Sequence, residues 1–346
     1  MNHVRARKGV LAVVTAVGMV AAMAGCAASG AQEGSPAKQK VLIYASPVPH
    51  DAAVFVAQEQ GFFAKNGLDV QIQSFPSGTT ALETFKQGID GKAGFGDLIV
   101  SGGFPALSFW DKTDGKYQAL AAVEQDSKGY VAMARADIKT PADLRGKTIG
   151  YRKGSTSELF ARTYLQKNGL SFDKDVKAVN LDQAAMISAL DRGDIDAFFL
   201  FEPAGRLAVA ASGDKVHYLS TGEGYLQGTT VVGTWSRTIK SDPAMLKKVL
   251  TSIIQGEDYA NAHPDDVAAL YKKKFNIAVD GTLADLKVLT LHTSVDDSFV
   301  EASKTQAAVL TEWGSMTRPF DMWSFTDACV LKGVASDRVV AEGPKC

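Results

Sequence analysis

The tetrapeptide KNGL occurs twice, at residues 65–68 and 167–170, and each copy stands at the same step of a longer repeated order. Before the first copy, "VLIYAS" is a short apolar run suited to a buried strand. "PVPHD" breaks it, and "AAVFVAQEQGFFAKNG" reads as a helix that Asp51 caps and Gly67 stops. Then come an alternating strand "LDVQIQSF", a turn "PSGTT", a helix "ALETFKQG" and a strand-like run "KAGFGDLIV". Around the second copy the order recurs: strand and turn "KTIGYRKG", helix "STSELFARTYLQKNG", strand "DVKAVNL", helix "DQAAMISALDRG", strand "IDAFFLFEP". Strands that alternate with helices demand parallel strands and crossover helices. Two similar α/β lobes are therefore expected, with Gly67 and Gly169 ending a helix at equivalent places.

Between the two repeats, "YQALAAVEQDSKGYVAMARADI" has no room for a crossover helix and reads as extended chain passing from lobe 1 into lobe 2. "YLQGTTVVGTWSRT" reads as the returning strand, and long helical patterns follow it. Two lobes with two strand-like crossings describe a hinged clamshell with a central ligand cleft. The expected divisions are 41–128 and 229–328 for lobe 1, 129–228 for lobe 2, and a C-terminal tail over 329–346.

The N-terminus stands apart. Arg5, Arg7 and Lys8 precede an almost uncharged apolar run over residues 10–25, too short and too rich in Ala and Gly to span a membrane comfortably. The sequence Met23-Ala24-Gly25-Cys26 resembles the lipobox of bacterial lipoproteins, which implies a signal peptide over 1–25 and lipidation of Cys26. A plain secretory signal cut near Ala24 or Ala28 is the alternative. Residues 26–40, small and polar, read as a flexible tether. Losing residues 1–25 takes the net charge from −1 to about −4 (−1 − 3), since three cationic residues leave. So near-neutral a chain has no electrostatic footprint for nucleic acid. Outside the cytoplasm, Cys329 and Cys346 are expected to pair and pin the tail.

Ligands of open α/β sheets bind beyond the carboxyl ends of the strands, at helix N-termini. The candidate loops are Ser46, His50 and Asp51; Ser77, Gly78, Thr79 and Thr80; Gly96 and Asp97 with Ser101 nearby; and, in lobe 2, Gly154, Ser155, Thr156 and Ser157. Glycine, hydroxyls and free N–H groups at a positive helix end suit a sulfonate, nitrate or carboxylate. Ser155 with Glu158, and Thr80 with Glu83, also fit capping boxes. Phe201 and Glu202 close a lobe 2 strand where cleft residues belong, and Thr229 lies on the returning segment. Glu202 either holds a ligand ammonium or caps the helix after Pro203. Glu124 is placed like Asp51 and Asp97, and Phe95, Tyr130 and Trp235 are candidates to line the ligand or to be core. His50, His217, His263 and His292 show no metal-ligand spacing, so no metal is assigned.

"GFFAKNGLDVQIQSFPSG", "TPADLRGKTIGYRKGSTS", "ALDRGDIDAFFLFEP" and "SDPAMLKKVLTSIIQG" resemble, in order, segments of ABC-importer solute-binding proteins of the nitrate, sulfonate and taurine group, which also covers binders of thiamine pyrimidine precursors. The resemblance spans about residues 41–315. It implies a type II periplasmic-binding-protein fold, a monomer without cofactor or catalysis, and delivery of a small ligand to membrane permease subunits from outside the cytoplasm. Sulfonate or taurine leads as ligand, with a pyrimidine precursor or nitrate as alternatives; a surface sensor is a further class. Enzyme motifs fail. "RGKT" lacks the first glycine of a P-loop, since Pro141 stands there, and no G-x-S-x-G or H-E-x-x-H occurs. The fungal thiamine pyrimidine synthase is similar to this family but carries a cysteine-rich motif, and this chain has no cysteine between Cys26 and Cys329.

Overall fold

The computed structural model describes residues 37–344 and 346. The expected signal peptide, the lipidation candidate Cys26 and tether residues 27–36 lie outside them. The first strand, β1 (Gln39–Ala45), takes in the last two residues read as tether. After it come α1 (Ala52–Glu59), α2 (Phe62–Lys65), β2 (Leu68–Ser74), α3 (Gly78–Phe85), β3 (Leu98–Gly102), α4 (Gly103–Lys112) and β4 (Tyr117–Asp126). The chain then crosses into β5 (Tyr130–Arg135), β6 (Thr148–Tyr151), α5 (Thr156–Lys167), β7 (Lys177–Asn180), α6 (Gln183–Arg192), β8 (Ala197–Phe201), α7 (Ala204–Ser212) and β9 (Val216–Thr221). It returns through β10 (Gly228–Trp235) to α8 (Ser236–Ser241), α9 (Pro243–Ala262), α10 (Pro264–Phe275), α11 (Val279–Leu286) and α12 (Asp297–Glu312).

The strands form two five-stranded sheets, ordered β2-β1-β3-β10-β4 and β7-β6-β8-β5-β9. In each, three strands run parallel and the last two pair antiparallel. The repeat is thus a structural one, with β1, β2 and β3 matched by β6, β7 and β8. Gly67 and Gly169 both stop their helices with positive φ, +79° and +72°. That left-handed turn favours glycine. Leu68 and Leu170 are buried at 1% and 5% exposure, folding back as expected. The expected single helix over 52–67 is broken at Gly61, where φ is +71°.

Short branched and small residues fill the buried strands, and aromatic rings from the helices cover them. Phe85 of α3 stacks on Trp235 of β10, ring centroids 4.7 Å apart and planes within 4°. Trp235 is therefore core of the first sheet rather than ligand wall. The chain passes between the sheets at residues 127–129 and 222–227. Cys329 and Cys346 meet with Cα atoms 5.4 Å apart. No helix among the described residues is long and apolar enough to cross a membrane.

Candidate functional site

Parallel strands aim their carboxyl ends the same way, so the loops after β1, β2, β3, β6 and β8 converge. They surround a cavity of about 680 Å³ between the two sheets. Ser46, His50, Asp51, Ser77, Gly78, Thr79, Thr80, Ser155, Thr156 and Phe201 line it, as does Ser101. These candidates from distant parts of the chain are brought together.

Two helix N-termini face each other there. On α3, Ser77 Oγ accepts the Thr80 N–H at 3.3 Å and contacts the Thr80 hydroxyl at 3.0 Å. The N-cap is Ser77, three residues ahead of Thr80, so the expected Thr80–Glu83 box does not form. On α5, Ser155 Oγ accepts the Ser157 N–H at 3.2 Å, and the Glu158 carboxylate accepts the Gly154 N–H at 2.7 Å. The N–H groups of Gly78, Thr79 and Thr156 have no partner among the described residues. Such free donors at a helix start attract anions. Arg152, just before this loop, donates to Thr80 Oγ1 at 3.3 Å and is ion-paired with Asp182. The end of β3 is close as well: a Cβ on Gly102 would lie 3.0 Å from Thr156 Oγ1.

The floor is made of buried polar groups. The Asp51 carboxylate accepts the Ser46 N–H at 2.7 Å, and burial pushes its pKa up to about 7. Burial lowers His50 to about 4, so its imidazole is neutral at physiological pH. His50 packs edge-on to Phe201 and Tyr130, with ring centroids 5.6 and 6.5 Å away. Tyr271 donates to the Val48 carbonyl at 2.8 Å and holds the loop. Glu124 accepts the Thr230 hydroxyl at 2.8 Å, and burial, then nearby Asp126, raises it well above the carboxylate range. The remaining wall is largely apolar, with Pro47, Val48, Val100, Ile187, Leu200 and Leu207.

Several expected residues do not line this cavity. Gly96 and Asp97 lie at the opposite end of the first sheet, because β3 starts only at Leu98 and the loop precedes it. There the Asp97 carboxylate accepts the Leu42 N–H at 2.8 Å. Phe95 sits at that end too. Gly154 turns outward, with φ +73°. Ser157 donates its hydroxyl to the Phe199 carbonyl at 2.6 Å. Glu202 accepts from Tyr218 Oη at 2.7 Å and the Arg206 N–H at 3.2 Å, so its carboxylate serves the start of α7. Thr229 turns its hydroxyl against Gly103, and the next residue, Thr230, faces the cavity instead. Sequence reading missed Arg152, although it stands beside a candidate loop. It also missed Thr230 and Ile277, which carry no local signal.

Two open α/β lobes of identical strand order, joined by two crossings around a cavity, define the type II periplasmic-binding-protein fold. Residues 48–267 match the NMT1/THI5-like family, to which this chain belongs. A putative binding protein of Brucella abortus is 25% identical over 284 residues, covering 77% of this chain and 83% of that protein. A putative thiamine biosynthesis protein of Haemophilus influenzae is 28% identical over 248 residues, covering 66% and 72%. The periplasmic aliphatic sulphonate binding protein SsuA from Escherichia coli superposes with a TM-score of 0.70 at 19% identity, over 83% of this chain and 97% of that one. The desulfurization enzyme DSZB shares the fold as well, at a TM-score of 0.64 and 15% identity over 86% of this chain and 99% of that one.

Proposed function

We propose that the chain is the extracytoplasmic solute-binding component of an ABC importer, held to the membrane by lipid on Cys26. Lobes over 41–128 with 229–328 and over 129–228 close on a small organic solute with one anionic end and present it to permease subunits. One observation carries this reading: the start of α3 from one sheet and of α5 from the other meet at Arg152, beside unpaired N–H groups. Positive helix ends and a guanidinium form an anion clamp. The apolar wall beyond it suits an organic body, and a cavity of about 680 Å³ is far larger than nitrate needs. An alkane or aryl sulfonate fits better than taurine, since Glu202 is committed to Tyr218 and Arg206.

A heteroaromatic solute of the pyrimidine-precursor type is the second reading. It is supported by the edge-on rings of His50, Tyr130 and Phe201 at the cavity and by the Haemophilus relative. We read the protein as a binder rather than an enzyme, because its polar cluster lacks a nucleophile paired to a base. A sensor role unlinked to transport is separated from import by whether permease and ATPase genes adjoin this one.

The test is a thermal-shift screen of purified protein, partially unfolded and refolded to strip carried-over solute. A ligand at about a thousand times its Kd adds about 4 kcal/mol and raises the Tm by several degrees. Shifts with sulfonates support the clamp. Shifts with neutral heteroaromatics alone overturn it in favour of the second reading.

A further inference from the structure

At and just below the cavity floor lies a group of side chains that the anion clamp does not use. A ring nitrogen of His50 and one carboxylate oxygen each of Glu124 and Asp126 lie within 4.8 Å of one another. All three residues are buried, with exposures of 5%, 1% and 4%. Both ring nitrogens of His50 and Oε1 of Glu124 make no hydrogen bond among the described residues. Buried polar atoms are nearly always satisfied, so three orphans in one cluster call for a missing partner.

Two partners are conceivable by chemistry. A proton on Glu124 would give His50 one donor to accept from but would leave the Asp126 carboxylate outside the arrangement. A cation would engage one ring nitrogen and both carboxylates together. No hydrogen bond joins these ligand atoms to one another, yet they lie near enough for one ion to reach all three. Ligands held at about 2.0–2.2 Å in a tetrahedron sit roughly 3.4 Å apart, so a contraction of at most about 1.4 Å (4.8 − 3.4) suffices. The orienting contacts are in place. Thr230 donates to the other oxygen of Glu124 at 2.8 Å, and the Gly129 N–H reaches both oxygens of Asp126 at 2.9 and 2.8 Å. Such outer hydrogen bonds fix the ligands of metal sites.

We propose that His50, Glu124 and Asp126 form a divalent-cation site at the floor of the cleft, with zinc as the fitting ion. One imidazole and two carboxylates match zinc, and a fourth position stays open. His50 lines the cavity, which supplies the route of entry. The site stands whatever solute the cleft takes.

The test uses tag-free protein, treated with chelator, dialysed and given one equivalent of zinc chloride. After gel filtration, one zinc per chain is expected. Cobalt(II) in its place is expected to give the intense visible bands of a low-coordinate site. His50→Gln and Glu124→Gln, shown folded by circular dichroism, should each weaken zinc binding at least tenfold. His292→Gln, at a surface histidine, should leave it unchanged. No ion retained by the parent overturns the proposal, and so does binding unchanged in both variants. Should neither variant fold, the parent's cobalt spectrum decides, and a weak octahedral spectrum sinks the site.

Discussion

Arg152, on the loop after β6, donates to the hydroxyl of Thr80 on α3 at 3.3 Å, and so joins the two lobes across the mouth of the cavity. Arg152 also pairs with Asp182 at the start of α6. The guanidinium is thus held between a hydroxyl and a carboxylate at the cavity wall. Arg152→Met is expected to weaken an anionic solute at least tenfold, about 1.4 kcal/mol. The change in Tm without solute should be small, because this pair is partly exposed and such pairs stabilise little. Titration calorimetry with the best sulfonate checks it, and unchanged affinity would remove the arginine from the clamp.

The proposed clamp would also depend on close packing at Gly78. A Cβ there would lie 2.9 Å from the Ser101 α-carbon, so α3 would have to move away from the end of β3. Gly78→Ala is expected to cost about 1–3 kcal/mol of stability. It should also weaken the solute, since the free N–H groups move with the helix. Urea unfolding and ligand titration on one sample separate the two effects.

On the other side of the cleft, Ser155 and Thr156 supply hydroxyls and the unpaired N–H of Thr156 at the start of α5. Replacing both with leucine should abolish solute shifts while far-UV circular dichroism survives. A double variant that still binds with parental affinity would place the anion elsewhere.

Arg206 of α7 is ion-paired with Asp285 of α11, linking lobe 2 to the C-terminal helices. Burial raises the Asp285 pKa to about 6, and Arg206 opposes that rise. An acid whose folded pKa lies above its unfolded value binds more protons when folded. Its contribution is therefore present below about pH 4 and is lost as pH rises through about 6. Asp285→Asn should flatten this part of the profile: between pH 4 and 7 its urea midpoint should fall less than the parent's. Parallel profiles would show that Asp285 titrates normally.

Cys329 and Cys346 are 17 residues apart in sequence, and their Cα separation suits a bridge. In an oxidising compartment, Cys329→Ser should lower stability by roughly 3 kcal/mol on the chain-entropy argument. Alkylation of Cys329 in unreduced protein would show instead that no bridge forms.

The alternation of strand and helix and the recurrence of their order were legible in the chain itself. Each step there depends on neighbours: apolar period, helix caps, and glycines that stop a helix in the left-handed region. Gly67 and Gly169 do the same work in the two lobes because backbone geometry alone requires them. The preceding asparagines, identical in letter, do not. Asn66 donates to Ser252 of α9, whereas Asn168 donates to the Tyr164 carbonyl of its own helix. The helix-start loops of the cavity were legible for the same local reason as the glycines.

What local pattern could not decide was parity, end and partner. Thr229 and Thr230 are one residue apart, and only the pairing of β10 with β3 and β4 turns the second towards the cavity. Asp97 fell at the wrong end because the start of β3 is set by its register against β1. Glu202 fitted two roles until Tyr218 of β9 joined the Arg206 N–H of the following helix in claiming its carboxylate. Glu124 and Asp126 are two residues apart on β4 and share a face, but no local pattern ties His50 to them. β3 and β10 stand between β1 and β4 in the sheet, so His50 reaches Glu124 and Asp126 only because the turn after β1 packs against β4.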